Sequence, residues 1–173
     1  MLNFMTNMGM PQTVAQDCLG VYELFLVQGA SRGIARSKVC ELFSPPRITE
    51  EMRRIPNFTI QGGSTYDRCA DRNGKSYDFM KSADRKRVRQ EIATQKPFMV
   101  IGSPPCTPFI SLRFFNKGKP GYAKQLASAK VLLRFAAEIY RLQLDSGRHF
   151  LHEHLVGASS WGEPCMRLSL IPI

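Results

Sequence analysis

Phe98-Met-Val-Ile-Gly-Ser-Pro-Pro-Cys-Thr107 is the stretch that decides the fold. Four apolar residues in a row, without polar alternation, read as a strand buried on both faces. Gly102-Ser-Pro-Pro105 ends it, because proline has no N–H for a ladder and fixes its own φ. Upstream, Asp84 to about Gln95 reads as a helix stopped by Lys96-Pro97: Val88 and Ile92 share one face, Arg85 and Arg89 another. Downstream, the best helix of the chain runs from about Tyr122 to Leu144. Leu126, Ala129, Leu133, Ala136, Tyr140 and Leu144 fall at spacings of 3, 4, 3, 4 and 4, a single apolar stripe, and Ser146-Gly147 closes it. His149-Phe-Leu-His-Glu-His154 follows as a last strand.

Further out, Lys38-Val-Cys-Glu-Leu-Phe43 is a short strand halted by Ser44-Pro45-Pro46. Asn57-Phe-Thr-Ile60 is a weaker strand ending at Gly62-Gly63, and Tyr77-Asp78-Phe79 is a candidate for a short third one. Strands alternating with helices predict an α/β fold: a Rossmann-like, open, mostly parallel sheet of about five strands with flanking helices. Residues 1–37, with a Met/Asn/Gly-rich start and a Gly29-Ala-Ser-Arg-Gly33 linker, read as a poorly organised arm, and 38–173 as the α/β domain. Ligands of such sheets bind at the carboxyl ends of the strands, so the chemistry is sought at Phe43, at Ser103–Cys106 and at His152–His154.

Composition narrows the partners. The chain has 173 residues, 43% hydrophobic and 22% charged, which is ordinary globular composition. Lys and Arg number 24 against 14 Asp and Glu, a net charge of +10, which points to a polyanion, most often nucleic acid. No apolar run approaches the ~18–20 residues of a membrane span, so no membrane is expected. No Lys or Arg precedes the first apolar residues, so a secretory signal is not expected either. Five cysteines (Cys18, Cys40, Cys69, Cys106 and Cys165), an odd number without a C-x-x-C pair, predict reduced thiols in the nucleus or cytoplasm and no disulfide-linked partner.

Ser103-Pro-Pro-Cys-Thr107 is the most informative motif. Two fixed φ angles aim Cys106 outward from a buried strand, and a thiolate there is a nucleophile. Equally, Pro-Pro-Cys serves as a strand-ending turn around a buried thiol. Glu153 ends the next strand, one helix later. A thiol and a carboxyl group converging on one pocket suit an electron-poor heteroaromatic ring: the acid engages a ring nitrogen while the thiolate adds to the activated carbon. The competing reading pairs Glu153 with Arg148 or a basic helix.

From about Val39 to Ala158 the chain resembles the cytosine-C5 DNA methyltransferases, which use S-adenosylmethionine. Their nucleophile motif, Pro-Cys-Gln-x-Phe-Ser after a buried strand, is similar to Pro105-Cys106-Thr107-Pro108-Phe109-Ile110. Their Glu-Asn-Val strand end is similar to Glu153-His154-Leu155, and their Asp/Glu-Leu-Phe to Glu41-Leu42-Phe43. The resemblance implies that Cys106 attacks C6 of a flipped-out cytosine while Glu153 engages N3, and that C5 takes the methyl group. It implies cofactor contacts at Phe43, Asp78 and Pro104. Nucleic acid, DNA by the resemblance, would be met by Arg113, Lys117 and Lys119 in the breaker-rich 112–121 loop, with Arg85 and Arg89 adding the densest basic run.

The departures set further expectations. Ser44-Pro45-Pro46-Arg47 stands where the family has Gly-x-Gly, Thr107 replaces Gln and Ile110 replaces Ser. No target-recognition segment follows Ala158, so the domain reads as diverged or incomplete at its C-terminus, with S-adenosylmethionine binding weak or lost and its activity as it stands left open. Two rival functions remain. One is an amino-methyltransferase acting on adenine N6 or cytosine N4, in which an aromatic residue would stand at Cys106. The other is a non-catalytic, basic nucleic-acid-binding domain on the same fold. A metal site at His149, His152 and His154, with Glu163 and Cys165, is not expected, because alternate strand residues face opposite ways.

Overall fold

In the computed structural model, the structure describes residues 37–55, 60–70, 73–110, 118 and 120–167. The arm expected over 1–37 lies outside these residues except for Ser37.

The elements in chain order are β1 (Ser37–Leu42), α1 (Ile48–Arg54), β2 (Ile60–Tyr66), α2 (Ser82–Gln95), β3 (Met99–Gly102), α3 (Tyr122–Asp145), β4 (His149–His152) and a short α4 (Pro164–Arg167). Single 3₁₀ turns occupy Thr107–Phe109 and Ser159–Gly162. The strands form one all-parallel sheet in the order β2-β1-β3-β4 with flanking helices, a Rossmann-like α/β fold. Four strands, not five, stand among the described residues. None of their helices is long and apolar enough to cross a membrane.

The two central strands are buried over Val39–Leu42 and Met99–Gly102, as continuous rather than alternating runs require. Cys40, Leu42 and Val100 pack with Val88 and Ile92 of α2 and with Phe135 and Ile139 of α3. Burying side chains of this size stabilises a fold by about 1.5–3 kcal/mol each, so this layer holds the two helices against the sheet. The expected α3 stripe is buried at Ala129, Leu133, Ala136 and Tyr140, but α3 also buries Phe135, Ala137, Ile139 and Gln143, because it meets α2 as well as the sheet. Gln143 is fully satisfied. Its Nε2 donates to the carbonyls of Pro97 and His149, both at 3.0 Å, and its Oε1 accepts from Arg148 Nε at 2.8 Å. One side chain thus ties the entries of β3 and β4 together.

Two readings of the sequence are corrected, and one helix is added to them. Gly62-Gly63 does not end a strand; β2 runs through it to Tyr66. A Cβ at Gly62 would stand 2.1 Å from the Thr49 carbonyl oxygen, so the glycine is there for close approach of α1, not for a turn. Tyr77-Asp78-Phe79 is not a strand. Tyr77 and Phe79 are buried from an irregular segment, and the Asp78 carbonyl accepts the Lys81 N–H in a turn at 2.8 Å. Helix α1 was not foreseen, since Thr49 is its one buried residue. Its signal lies in its charges: Glu50 and Glu51 in the first turn, Arg53 and Arg54 in the last, with Arg54 2.7 Å from Glu51.

Candidate functional site

The chain leaves β1 for β2 on one side and returns to β3 on the other, so the strand order reverses between β1 and β3. At such a switch point the connections diverge and leave a crevice at the carboxyl ends. A cavity of about 560 Å³ lies there, within the size range of ligand sites. Glu41, Phe43, Ser44, Pro45 and Arg47 line it from the β1 side. Ser103, Pro104 and Cys106 follow β3, and Glu153 and His154 follow β4.

At the β1 end, Glu41 is 2% exposed and organises the whole turn. Its carboxylate accepts from the backbone N–H groups of Arg47 (3.1 Å), Ile48 (3.2 Å) and Thr49 (2.9 Å), and from the hydroxyls of Thr49 (2.6 Å) and Ser44 (3.2 Å). These are the first N–H groups of α1, which have no partner inside the helix; a carboxylate satisfies them and complements the helix dipole. Phe43 follows with φ +62°, left-handed backbone that an L-residue adopts at a cost of about 1–2 kcal/mol. Its N–H donates to Tyr66 O at 2.8 Å, and its ring meets Phe79 edge-on at 4.7 Å between centroids, which holds the strained residue in place.

At the β3 end, the ladder continues one residue past the strand: Ser103 N–H donates to Leu42 O at 3.0 Å. Pro104 is buried, and Cys106 is half-buried at the start of the 3₁₀ turn, its carbonyl accepting the Phe109 N–H at 2.8 Å. Cys40, Cys69, Cys106 and Cys165 are all free thiols. On the β4 side, Glu153 N–H donates to Gly102 O at 2.9 Å, and its exposed carboxylate accepts the Ser103 hydroxyl at 2.8 Å.

His154 braces this end from behind. Its Nε2 is 2.8 Å from the Pro104 carbonyl, which can only accept, so Nε2 carries the proton and Nδ1 accepts from the Ser160 hydroxyl at 2.6 Å. Burial holds its pKa below the ordinary range, partly offset by the bond to Pro104. His152 lies beside it, ring centroids 4.5 Å apart, with Nδ1 2.9 Å from the Tyr140 hydroxyl. Burial, reinforced by His154, pushes the His152 pKa down to about 4, whereas burial raises that of Tyr140, so the phenol donates and the imidazole accepts. Gly102 admits this arrangement: a Cβ there would fall 2.0 Å from the Tyr140 hydroxyl oxygen. His154 is thus committed at both nitrogens and His152 at Nδ1, while His152 Nε2 is buried without a hydrogen-bond partner. No cluster of three or more metal-ligating side chains occurs among the described residues.

Of the residues singled out from the sequence, Cys106, Glu153, Phe43 and Pro104 line the one cavity. Asp78 does not; its Oδ1 accepts the Met80 N–H at 3.1 Å within its own turn. Arg85 and Arg89 do not either. Arg85 Nη1 donates to Phe79 O at 2.6 Å, and Arg89 Nε lies 3.2 Å from Glu138 Oε2. Arg113, Lys117 and Lys119 lie outside the described residues. Ser103, Arg47 and His154 stand in stretches that the sequence marks as bearing the site, but the Ser103–Glu153 hydrogen bond and the His154–Ser160 pair were not foreseen. Ser103 carried a signal in its position at a strand end, while these contacts take shape only in the fold.

S-adenosylmethionine offers a carboxylate, an ammonium group, a ribose diol and an adenine. The residues present fit it through side chains: the exposed Arg47 suits the carboxylate and the Phe43 ring an adenine. Main-chain donors are short there, because Pro45 and Pro46 have none and the N–H groups of residues 47–49 already serve Glu41. No protein-family model, no curated protein and no solved structure matches this chain.

Proposed function

We propose that the domain is the core of a nucleic-acid cytosine-C5 methyltransferase, with Cys106 as nucleophile and Glu153 as the group that engages N3. The observation that carries this reading is the pair itself: a thiol and a carboxyl group follow neighbouring parallel strands into one cavity at the switch point. A base must leave the stack to enter such a cavity, and the +10 charge suits the polyanion that carries it.

The chemistry runs on this chain's residues. The Cys106 thiolate adds to C6, and the C5=C6 electron pair moves to C5. The Glu153 carboxyl group engages N3 and stabilises the charge that would otherwise build on the ring. The Ser103 hydroxyl on Oε2 fixes the carboxyl plane, and the Pro104-Pro105 exit, braced through His154, fixes the approach of Sγ. When bound, S-adenosylmethionine would supply the electrophilic methyl group, held by Arg47 and Phe43. Loss of the C5 proton to water then restores the C5=C6 bond and expels the Cys106 thiolate.

An oligonucleotide carrying 5-fluorocytosine tests this, because fluorine at C5 blocks release after methyl transfer. With S-adenosylmethionine present, the protein should form a denaturant-resistant adduct whose mass maps to Cys106, and Cys106→Ser should form none. Intact, folded protein that forms no adduct over varied sequences sinks the proposal. In that case the second reading, a nucleic-acid-binding domain without chemistry, takes its place; it is favoured by the shortage of main-chain donors at Pro45-Pro46. Isothermal titration separates the two, since that reading expects S-adenosylmethionine to bind more weakly than low micromolar.

A further inference from the structure

We infer that the hollow between α2 and α3 is a binding site for the phosphodiester backbone of a nucleic-acid strand. The hollow measures about 500 Å³. Arg85 and Arg89 enter it from α2, Arg134 and Arg141 from α3, over a floor that includes Val131 and Phe135. Glu138 is the one carboxylate in the lining, which leaves three positive charges in excess. The hollow shares no lining residue with the cavity at Cys106, and its role does not depend on the chemistry there.

The four guanidiniums differ in how they are held. Arg85 is anchored through Nη1 on the carbonyls of Phe79 (2.6 Å) and Met80 (3.1 Å), while Arg89 is held by charge, its Nε 3.2 Å from Glu138 but making no hydrogen bond. Each guanidinium has five N–H donors, so both keep donors in a fixed orientation. Arg134 and Arg141 are exposed and have no acceptor among the described residues. They flank Glu138 at four residues before and three after, so their heads stand about 10 Å apart along the helix. A single phosphate is too small to meet both. A strand that advances ~3.4 Å per nucleotide places about three phosphates over that length. Planar guanidinium forks match phosphate oxygens in pairs, and the apolar floor suits the sugars between them.

The test is fluorescence anisotropy with a labelled oligonucleotide that carries no reactive base, bound to Cys106→Ser protein, between about 50 and 200 mM salt. Arg134→Gln/Arg141→Gln should weaken binding about tenfold and lower the slope of log affinity against log salt by about two, one per lost phosphate contact. The control pair Lys38→Gln/Arg68→Gln, also exposed and of equal charge change, should leave the slope within about one of wild type. Equal losses in the two pairs would show that net charge alone acts, and would overturn the site. Competition by polyglutamate as effective as that of the oligonucleotide would overturn it as well, because the hollow would then be reading carboxylates. Unfolding midpoints of both pairs at the wild-type value certify that the fold is intact.

Discussion

The two ends of the cavity at the switch point are built in opposite ways. At the β1 end the carboxylate is fully engaged: Glu41 takes five different donors from Ser44, Arg47, Ile48 and Thr49, and Phe43 is pinned by Tyr66 and Phe79. At the β3–β4 end, among the described residues, the Glu153 carboxylate is exposed and takes one donor, and the Cys106 thiol is held through its backbone. A satisfied carboxylate in a dry site fixes shape, while a lightly bound one beside water can still exchange protons and partners. The same residue type therefore serves architecture at position 41 and chemistry at position 153.

Exchanging acid for amide at each end breaks or sharpens this contrast. Glu41→Gln keeps the size but turns an NH₂ group towards N–H donors; hydrogen bonds to a charged group are worth about 1.5–3 kcal/mol each, so a loss of about 3–4 kcal/mol is expected in urea unfolding. A loss below about 1 kcal/mol would mean that the turn holds without its carboxylate. Glu153→Gln should do the reverse. Stability should stay within about 0.5 kcal/mol, while adduct formation slows by about 100-fold or more. Unchanged trapping kinetics would remove Glu153 from the mechanism.

A smaller effect belongs to the histidine behind the open end. His152 stays neutral in the fold down to about pH 4, but takes a proton near its ordinary value of 6.5 when unfolded. Between those values the unfolded chain binds more protons, so stability falls as the pH drops through the window and is fully present above it. Allowing for partial solvent screening, the fall is about 1–2 kcal/mol. Between pH 7 and pH 4.5 the loss in urea unfolding should be smaller in His152→Gln than in wild type, the remainder belonging to His154, whose pKa burial also lowers; equal losses would assign the effect to other groups. Ser103→Ala gives the smallest change. Trapping should slow about fivefold to tenfold, since one solvent-exposed hydrogen bond of about 1 kcal/mol orients Glu153. No change would leave Ser103 as a spacer.

What the sequence disclosed follows from the range of the contacts involved. β3 and α3 were legible because Met99–Gly102 is one apolar run and α3 repeats its apolar residues over six turns, both local signals. Cys106 and Glu153 could be placed at one edge because each directly follows a strand. Glu41 could be aligned with a motif, but its role was invisible, because its partners lie up to eight residues on and take shape only when α1 forms. Gly62-Gly63 misled for a related reason. A pair of glycines signals a turn locally, and only the Thr49 backbone pressing on β2 gives it another meaning. Asp78 was a matter of position alone, and a turn at Met80 had already claimed it.

That contact between Gly62 and Thr49 also constrains descent. No residue with a Cβ fits at 62 while α1 stays in place, and α1 stays in place through the bond from Thr49 to Glu41. Three positions spread over 22 residues of chain therefore have to change together or not at all. Distant kin whose overall identity has eroded beyond detection should still carry an acid, a hydroxyl and a bare α-carbon at these intervals. Such a spaced triplet is a sharper probe for ancestry than the whole chain.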